Sequence, residues 1–294
     1  MRIGIDLGGT KTEFLAMGPG GADLWRKRVP TARDHDGTVR MIAELVREAE
    51  TATGAPGSVG LAIPGSETAA GTIKNANSTW LIGKPLRADL RAALGREIRL
   101  ANDANCFALS EASDGAAAGA GVVFGVITGT GVGGGIVVDG KVLVGAHGIG
   151  GEWGHIPLPA MTDAERADSR ACYCGKRDCL ETWVAGPFVE REFARLTGRA
   201  LPLADIAASD GMEERATVTR LIDRLARGMA TMVNILDPDV IVLGGGVSNI
   251  ARLYDDLPPL VETYGFTLGG PPKIVKNRHG DSSGVRGAAW LWPA

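Results

Sequence analysis

The sequence predicts an α/β protein of two domains. Three observations carry this. Short apolar runs of strand length alternate with longer stretches of helical periodicity. A glycine-turned hairpin occurs twice, once near the start and once just past residue 118. The length of 294 residues suits about two domains of ordinary size. Two hairpins of one kind, each opening a half of the chain, point to related domains facing one cleft. We place the boundary in the small, flexible stretch G-A-A-A-G-A-G. This gives domains of 1–117, completed by a closing helix at 283–294, and 118–282, with a pinned loop at 151–181.

The first hairpin reads R-I-G-I-D-L-G-G-T-K-T-E-F-L-A-M. The apolar run enters Asp6, turns through Gly8 and Gly9, and resumes as a second strand. A Walker phosphate loop needs Gly directly followed by Lys and Ser or Thr. Here Thr10 separates Gly9 from Lys11, so that reading fails. What remains is a carboxylate at a strand end, beside a turn rich in N–H and hydroxyl donors. Such a turn binds phosphate oxygens, and Asp6 can hold Mg2+ through water. An ordinary hairpin with a surface Asp is the bland alternative.

Residues 22–30 read as another strand. From His35 to Thr53, Val39, Ile42, Leu45, Val46 and Ala49 recur at helical spacing. Ser58 to Ile63 is a short buried strand that breaks at Pro64-Gly65, a place where ligands often sit. The polar loop T-I-K-N-A-N-S-T-W-L follows. Its Asn75, Asn77 and Ser78 are candidate sugar contacts or turn caps, capping being the commoner role. Glu97 to Ala101 is strand-like and leads through Asn102-Asp103 into a helix predicted over 104–118. Asp103 is then either a cap or a general base at a strand's carboxyl end, where α/β sheets present their ligand sites. The residues alone leave both roles open.

The second hairpin runs V-V-F-G-V-I-T, G-T-G-V-G-G-G, I-V-V-D-G-K-V-L-V. Gly129, Gly131 and Gly134 formally match a dinucleotide fingerprint, but that motif needs a helix next. Here a period-two apolar run follows, with Asp139-Gly140 as a hairpin turn. Helices are predicted over 182–196 and 213–236, the latter with a continuous apolar face from Leu221 to Leu236. Val240 to Leu243 is a buried strand. The triple glycine Gly244-Gly245-Gly246 after it lets a flat ligand lie against backbone. A last helix is predicted over 283–292.

The densest chemistry lies between Gly151 and Glu181, in G-E-W-G-H and C-Y-C-G-K-R-D-C-L-E. His155, Cys172, Cys174 and Cys179 supply one imidazole and three thiols, a donor set suited to four-coordinate structural zinc. Three buried thiols, or an oxidised pair in a secreted protein, are the alternatives. No secretory signal opens the chain, and a reducing compartment favours metal over disulfide. Two carboxylates, Glu152 and Glu181, are interleaved with these ligands. The metal is expected to pin a loop that holds acidic groups against a polar substrate.

Composition sets limits. Hydrophobic residues make up 45% and charged residues 22%, enough for a full core and unlike a disordered chain. A formal charge of −3 offers no basic field for nucleic acid. No apolar run has the roughly 18–20 residues of a membrane span. We therefore expect a soluble, cytoplasmic protein.

Taken together and in order, D-L-G-G-T-K-T, Asn102-Asp103, G-T-G-V-G-G-G, G-E-W-G-H, C-x-C-G-x-x-x-C-x-E and L-G-G-G resemble the ROK family of sugar kinases over essentially the whole chain. One departure stands out: Asp178 occupies the place where the family pattern has Gly before the last Cys. The loop N-A-N-S-T-W-L, the run L-A-N-D-A-N-C and the end G-D-S-S-G-V-R-G-A-A-W-L-W are similar to the fructokinases, or manno(fructo)kinases. The N-acetylglucosamine kinases share L-R-A-D-L and G-T-G-V-G-G-G and are the runner-up, with glucokinases beside them.

The resemblance implies the actin-like, ribonuclease-H-like ATPase fold and phosphoryl transfer from MgATP to the 6-hydroxyl of a hexose, fructose first. It makes Asp103 the base. It places Gly65, Asn77, Asn102, Glu152, His155 and Glu181 around the sugar, with His155 using one ring nitrogen on zinc and the other toward the substrate. It puts Asp6, Gly8, Gly9, Thr10, Lys11, Thr12, Thr130, Gly131 and Gly133 around the phosphates, and Gly244, Gly245 and Gly246 near the nucleoside. It also implies a homodimer. The family's sugar-responsive repressors carry a DNA-binding domain ahead of this fold, whereas here the first hairpin begins at Ile3.

Overall fold

A computed structural model of the chain describes residues 1–76, 78–266 and 269–293. By its internal packing the chain falls into two units. The first comprises 1–119, 135–150 and 278–294; the second comprises 120–134 and 151–277.

The first unit begins with β1 (Arg2–Leu7), β2 (Lys11–Met17) and β3 (Asp23–Pro30), then α1 (His35–Thr53) and β4 (Ser58–Ile63). A small ribbon of β5 (Ser66–Glu67) and β6 (Ile73–Lys74) precedes α2 (Leu86–Leu94), β7 (Ile98–Asn102) and α3 (Asp103–Ser113). The sheet order is β3-β2-β1-β4-β7. Strands β1, β2 and β3 are antiparallel neighbours, while β1, β4 and β7 run parallel. Ile3, Ile5 and Leu7 are fully buried, as expected of a strand covered on both faces. Helix α1 turns its apolar stripe of Ile42, Leu45, Val46 and Ala49 onto this core.

The second sheet has the order β10-β9-β8-β11-β12. It is formed by β8 (Val122–Thr128), β9 (Val132–Val138), β10 (Lys141–Val142), β11 (Val240–Gly244) and β12 (Ile274–Lys276). It repeats the first sheet's plan: an antiparallel hairpin, β8-β9, whose first strand has two parallel strands, β11 and β12, on its other side. Asp139 and Gly140 both have positive φ, 48° and 72°, as a two-residue hairpin between β9 and β10 requires.

Helices α4 (Asp163–Ala167), α5 (Glu181–Val184), α6 (Gly186–Thr197), α7 (Leu203–Ala208), α8 (Met212–Leu236) and α9 (Arg252–Tyr264) complete the second unit. Helix α9 carries Pro258 and Pro259 inside it, and this hid it from the sequence reading, because interior proline usually ends a helix.

Helix α10 (Ser283–Trp290) packs into the first unit. A Cβ on Gly4 of β1 would stand 2.0 Å from the Val285 carbonyl, and one on Gly60 of β4 1.9 Å from the Ala288 carbonyl. A Cβ on Gly287 would reach within 1.7 Å of the Cys106 carbonyl in α3. The absence of a side chain at these three positions is what lets helix, sheet and α3 meet backbone to backbone.

Two helix predictions need correction. The helix after Asp103 ends at Ser113 rather than at 118. Glu111 takes the chain out of the helix: its Oε2 accepts from Ala116 N–H and its carbonyl from Ala117 N–H. The helix predicted over 182–196 is two helices, broken at Ala185, where Gly186 N–H turns away to the Gly129 carbonyl at 2.8 Å.

Candidate active site and metal centre

In the first unit, the parallel register brings three strand ends to one edge of the sheet. Asp6 of β1 lies level with Ala62 of β4, and Ile63 of β4 lies level with Asn102 of β7. Asp6, the Pro64-Gly65 break and the Asn102-Asp103 pair therefore collect at the carboxyl edge, where ligand sites of α/β sheets form.

Asn102 caps α3. Its Oδ1 accepts from Ala104 N–H at 2.9 Å, and its Nδ2 donates to the Gly65 carbonyl at 3.0 Å. Gly65 has φ 81°, and a Cβ there would meet the Lys74 carbonyl at 2.2 Å, so the break admits only glycine. With Asn102 as the cap, Asp103 is the first residue of the helix, and its Oδ1 also accepts from Ala104 N–H, at 2.8 Å. Asp103 touches solvent, but protein crowds it at longer range, and that desolvation raises its carboxyl above the usual value against the pull of the backbone N–H. Asp6 is pushed up to about 7, chiefly by burial, then by the charges of Asp103 and Glu13, with Arg28 opposing.

The first glycine bend is closed by Gly8 N–H donating to the Lys11 carbonyl at 3.1 Å. A Cβ on Gly8 would sit 2.7 Å from that carbonyl, whereas Gly9 faces open space. Gly9, Thr10 and Lys11 are exposed. Thr12 is not: it is fully buried, and its hydroxyl pairs with Thr31 Oγ1 at 2.8 Å. Thr31 in turn donates its hydroxyl to the Gly8 carbonyl and its N–H to the Thr10 carbonyl. Thr12 thus braces the bend from behind instead of lining its open face. Thr31 was missed because one hydroxyl in a polar run carries no sequence signal. Asn77 lies outside the described residues; Ser78 beside it is buried.

In the second unit, the bend between β8 and β9 is closed by Gly129 N–H donating to the Gly131 carbonyl at 2.9 Å. The glycines after β11 join it. Gly245 has φ 80°, and its Cβ would lie 2.5 Å from the Thr128 carbonyl, while Gly129 faces Gly246. Thr130, Gly131 and Gly244–Gly246 are thus collected at the ends of two neighbouring parallel strands. Gly133 lies within β9, where its carbonyl accepts from Trp153 Nε1–H at 2.9 Å. Trp153 is fully buried and meets Phe124 edge-on at 5.6 Å. Gly154 lets the turn lie on β9, since a Cβ would come within 2.4 Å of the Val132 carbonyl. This buried Trp-Gly pair fixes Glu152 and His155 on either side of one tight turn.

The four predicted metal ligands converge. One ligand atom from each of His155, Cys172, Cys174 and Cys179 lies within 4.8 Å of all the others. Cys172 Sγ is 3.7 Å from His155 Nδ1, and the Cys174 and Cys179 sulfurs are 3.6 Å apart. A tetrahedral zinc with bonds of about 2.3 Å to sulfur needs ligand edges of about 3.8 Å, and a disulfide needs about 2.05 Å. The geometry therefore fits a four-coordinate metal. Burial pushes the Cys179 thiol up to about 12 and the Cys172 thiol upward, while the Lys176 backbone N–H pulls Cys174 down. A bound cation is what would hold all three as thiolates. With Nδ1 turned to the cluster, His155 carries Nε2 outward, 3.0 Å from the hydroxyl of the exposed Tyr173. Sequence reading had assigned that nitrogen to substrate and overlooked the phenol.

Glu181 starts α5 two residues beyond Cys179 and is buried. Its Oε2 accepts from Val132 N–H at 2.9 Å, on the second glycine bend.

The profile that describes the ROK family matches residues 2–294. This chain belongs to the ROK family, as a sugar kinase. An N-acetyl-D-glucosamine kinase of Pectobacterium atrosepticum is 41% identical to it over 302 residues, covering 99% of this chain and 98% of that protein. One from Escherichia coli O157:H7 is 42% identical over 299 residues, covering 99% of each. Among solved structures, the ROK hexokinase of Thermus thermophilus matches with a TM-score of 0.86 at 33% identity, over 98% of this chain and 96% of that one. The actin-like ATPase fold expected from the resemblance is the fold of this ROK chain.

The departure from the ROK pattern at Asp178 has a local explanation. Asp178 sits at φ 58°, the left-handed region that glycine favours and that Asp tolerates better than most residues. Its carboxylate accepts from Ser169 Oγ at 2.7 Å and from Arg170 N–H at 2.6 Å. These bonds offset the backbone strain of the turn before Cys179.

Proposed function

We propose that the chain transfers the γ-phosphoryl group of MgATP to the 6-hydroxyl of N-acetyl-D-glucosamine. The observation that carries this choice of sugar is the full-length identity of 41–42% to proteins named as N-acetyl-D-glucosamine kinases. The sequence reading put fructose first, on the likeness of the N-A-N-S-T-W loop; that loop covers few residues, and the full-length similarity outweighs it. A comparison of kcat/KM for N-acetyl-D-glucosamine, fructose, mannose and glucose tests the assignment. A clear preference for fructose would reverse it.

The residues divide the work as follows. Asp103 accepts the proton of the attacking hydroxyl; a raised carboxyl at the head of a helix is suited to this because the transition state is loose and positioning contributes most of the catalysis. Asn102, locked by its two hydrogen bonds, orients the sugar together with Gly65, Glu152, His155 and Glu181. The bend at Gly8, Gly9, Thr10 and Lys11, with the bend at Thr130 and Gly131, offers N–H and cationic groups to the phosphates. Asp6 would hold Mg2+, and the ion would supply charge neutralisation at the phosphates. Gly244, Gly245 and Gly246 give the nucleoside a flat backbone floor.

His155, Cys172, Cys174 and Cys179 would hold zinc, which would fix the loop that carries Glu152 and Glu181; with Nδ1 on the metal, His155 would keep its proton on Nε2. No helix among the described residues is long and apolar enough to cross a membrane. A homodimer remains part of the proposal, tested by light scattering.

A further inference from the structure

We infer that Glu181 is a positioning residue for the second glycine bend, so that one carboxylate serves the nucleotide as well as the sugar. This rests on the sugar-kinase reading of the two bends. Glu181 Oε2 is bonded to Val132 N–H at 2.9 Å, and both residues are buried. A Cβ on Gly131 would stand 2.9 Å from that same oxygen, so glycine at 131 is what lets the carboxylate come so close. On the other flank, Gly186 N–H donates to the Gly129 carbonyl at 2.8 Å. Residues 181–186 therefore grip the bend from both sides, with an acceptor at one end and a donor at the other.

The gripping segment is itself held firmly. Thr182 N–H and Oγ1 both donate to the Cys179 carbonyl, at 2.9 and 2.8 Å. Arg170 Nη1 donates to the Thr182 carbonyl at 2.9 Å. Trp183 is fully buried, with the guanidinium carbons of Arg170 and Arg224 3.7 and 4.7 Å from its ring centroid. A short path thus leads from Cys179 of the metal cluster, through Glu181, to the Val132 N–H that ends the bend. If Glu181 served the sugar alone, none of its oxygens would need to be spent on Val132. Deleting it leaves the Val132 N–H buried without its charged acceptor, which costs more than the bond itself returns.

The test is calorimetric titration of the zinc-loaded full chain with the magnesium complex of a non-hydrolysable ATP analogue, in the absence of sugar. Glu181→Ala is expected to weaken nucleotide binding about tenfold, the scale of one charge-assisted hydrogen bond. Glu181→Gln is expected to lose clearly less nucleotide affinity than Glu181→Ala, because its amide oxygen still accepts from the same N–H without the charge, while both variants lose sugar affinity and keep their zinc. Should Glu181→Ala fail to fold, Glu181→Asp, which keeps the charge but retracts it, is expected to weaken nucleotide binding to a lesser degree. Wild-type nucleotide affinity in Glu181→Ala or Glu181→Asp, or an equal loss in Glu181→Gln, would overturn the inference. A wild-type chain that phosphorylates none of the four hexoses, together with a nucleotide defect in Glu181→Ala, would remove the proposed substrate and leave the positioning role standing.

Discussion

The two glycine bends hold matching places in their sheets and are stabilised in opposite ways. The bend after β1 carries its acid in its own strand: Asp6 stands just before the turn, and Thr12 and Thr31 brace the loop from behind with hydroxyls. The bend after β8 has no acid in its strand. Its carboxylate is brought from Glu181, far along the sequence, and is spent on a backbone N–H. The first bend can therefore bring negative charge to a cation, while the second offers mainly N–H groups to an anion. Repeating a fold element did not repeat its chemistry; the difference lies in where each acid enters.

The largest expected effect breaks the first half. Asp103→Asn should lower kcat by about 10²–10⁴, the usual contribution of a general base, with the dissociation constant for sugar nearly unchanged. An active variant would remove Asp103 from the chemistry.

Metal removal sharpens the second half. The sequence reading expected chelation of zinc to weaken sugar binding more than ATP binding. The path from Cys179 through Glu181 to Val132 changes that expectation: both affinities should fall. Titration of each ligand against the stripped protein checks it, and metal analysis of untreated protein should give about one zinc per chain from its four ligands.

Acid–base behaviour separates the bends further. Burial and neighbouring charge raise Asp6 to about 7, and Asp103 is raised too. A raised carboxyl favours the protonated form in the folded state. Its contribution to stability is present in full below the ordinary carboxylate value of 3.8 and is lost as pH rises through about 7. The ligand-free protein should lose stability across this window, and Asp6→Asn should flatten the dependence in thermal melts. Affinity for the magnesium–nucleotide complex should rise with pH over the same range, since Mg2+ needs the carboxylate ionised. A pH profile of kcat/KM with its acid limb at an ordinary carboxylate position would contradict this assignment.

The smallest effects concern glycine and its substitutes. Gly8→Ala should cost about 1–3 kcal/mol, the usual penalty of overpacking, because its Cβ would collide with the Lys11 carbonyl. Gly9→Ala meets no neighbour and should leave the melting temperature nearly unchanged. At Asp178, Ala should cost about 1–3 kcal/mol, because it keeps the positive φ and leaves the Arg170 N–H without its partner. Gly there loses the same bond but relieves the positive φ, so it should cost less than Ala.

Much of this was legible in the residues. The hairpins could be read because period-two runs flank each glycine pair, and the metal cluster because three of its thiols lie within eight residues. Helix α1 was placed from its apolar spacing alone. What escaped depends on contacts distant in sequence. Thr12 read as a phosphate ligand, yet its hydroxyl is held by Thr31. Glu181 read as a sugar ligand, and nothing local shows that Val132 takes one of its oxygens. Tyr173 lies between two cysteines and drew no notice until the fold set it beside His155. The helix over 104–118 was drawn too long because small residues after Ser113 keep helical propensity, while Glu111 takes the backbone elsewhere.

The seating of α10 bears on how the protein is made. Its notches, at Gly4 and Gly60, are made early, and the helix that fills them follows only at Ser283–Trp290. Until that helix is made, this face of the first sheet, with Leu15 and Met17, waits without its cover, whereas the residues of the second unit all precede it. The unit that holds Asp103 therefore cannot close its core before α10 is made, and a nascent chain stalled short of residue 283 would leave Leu15 and Met17 without Val285 and Ala289.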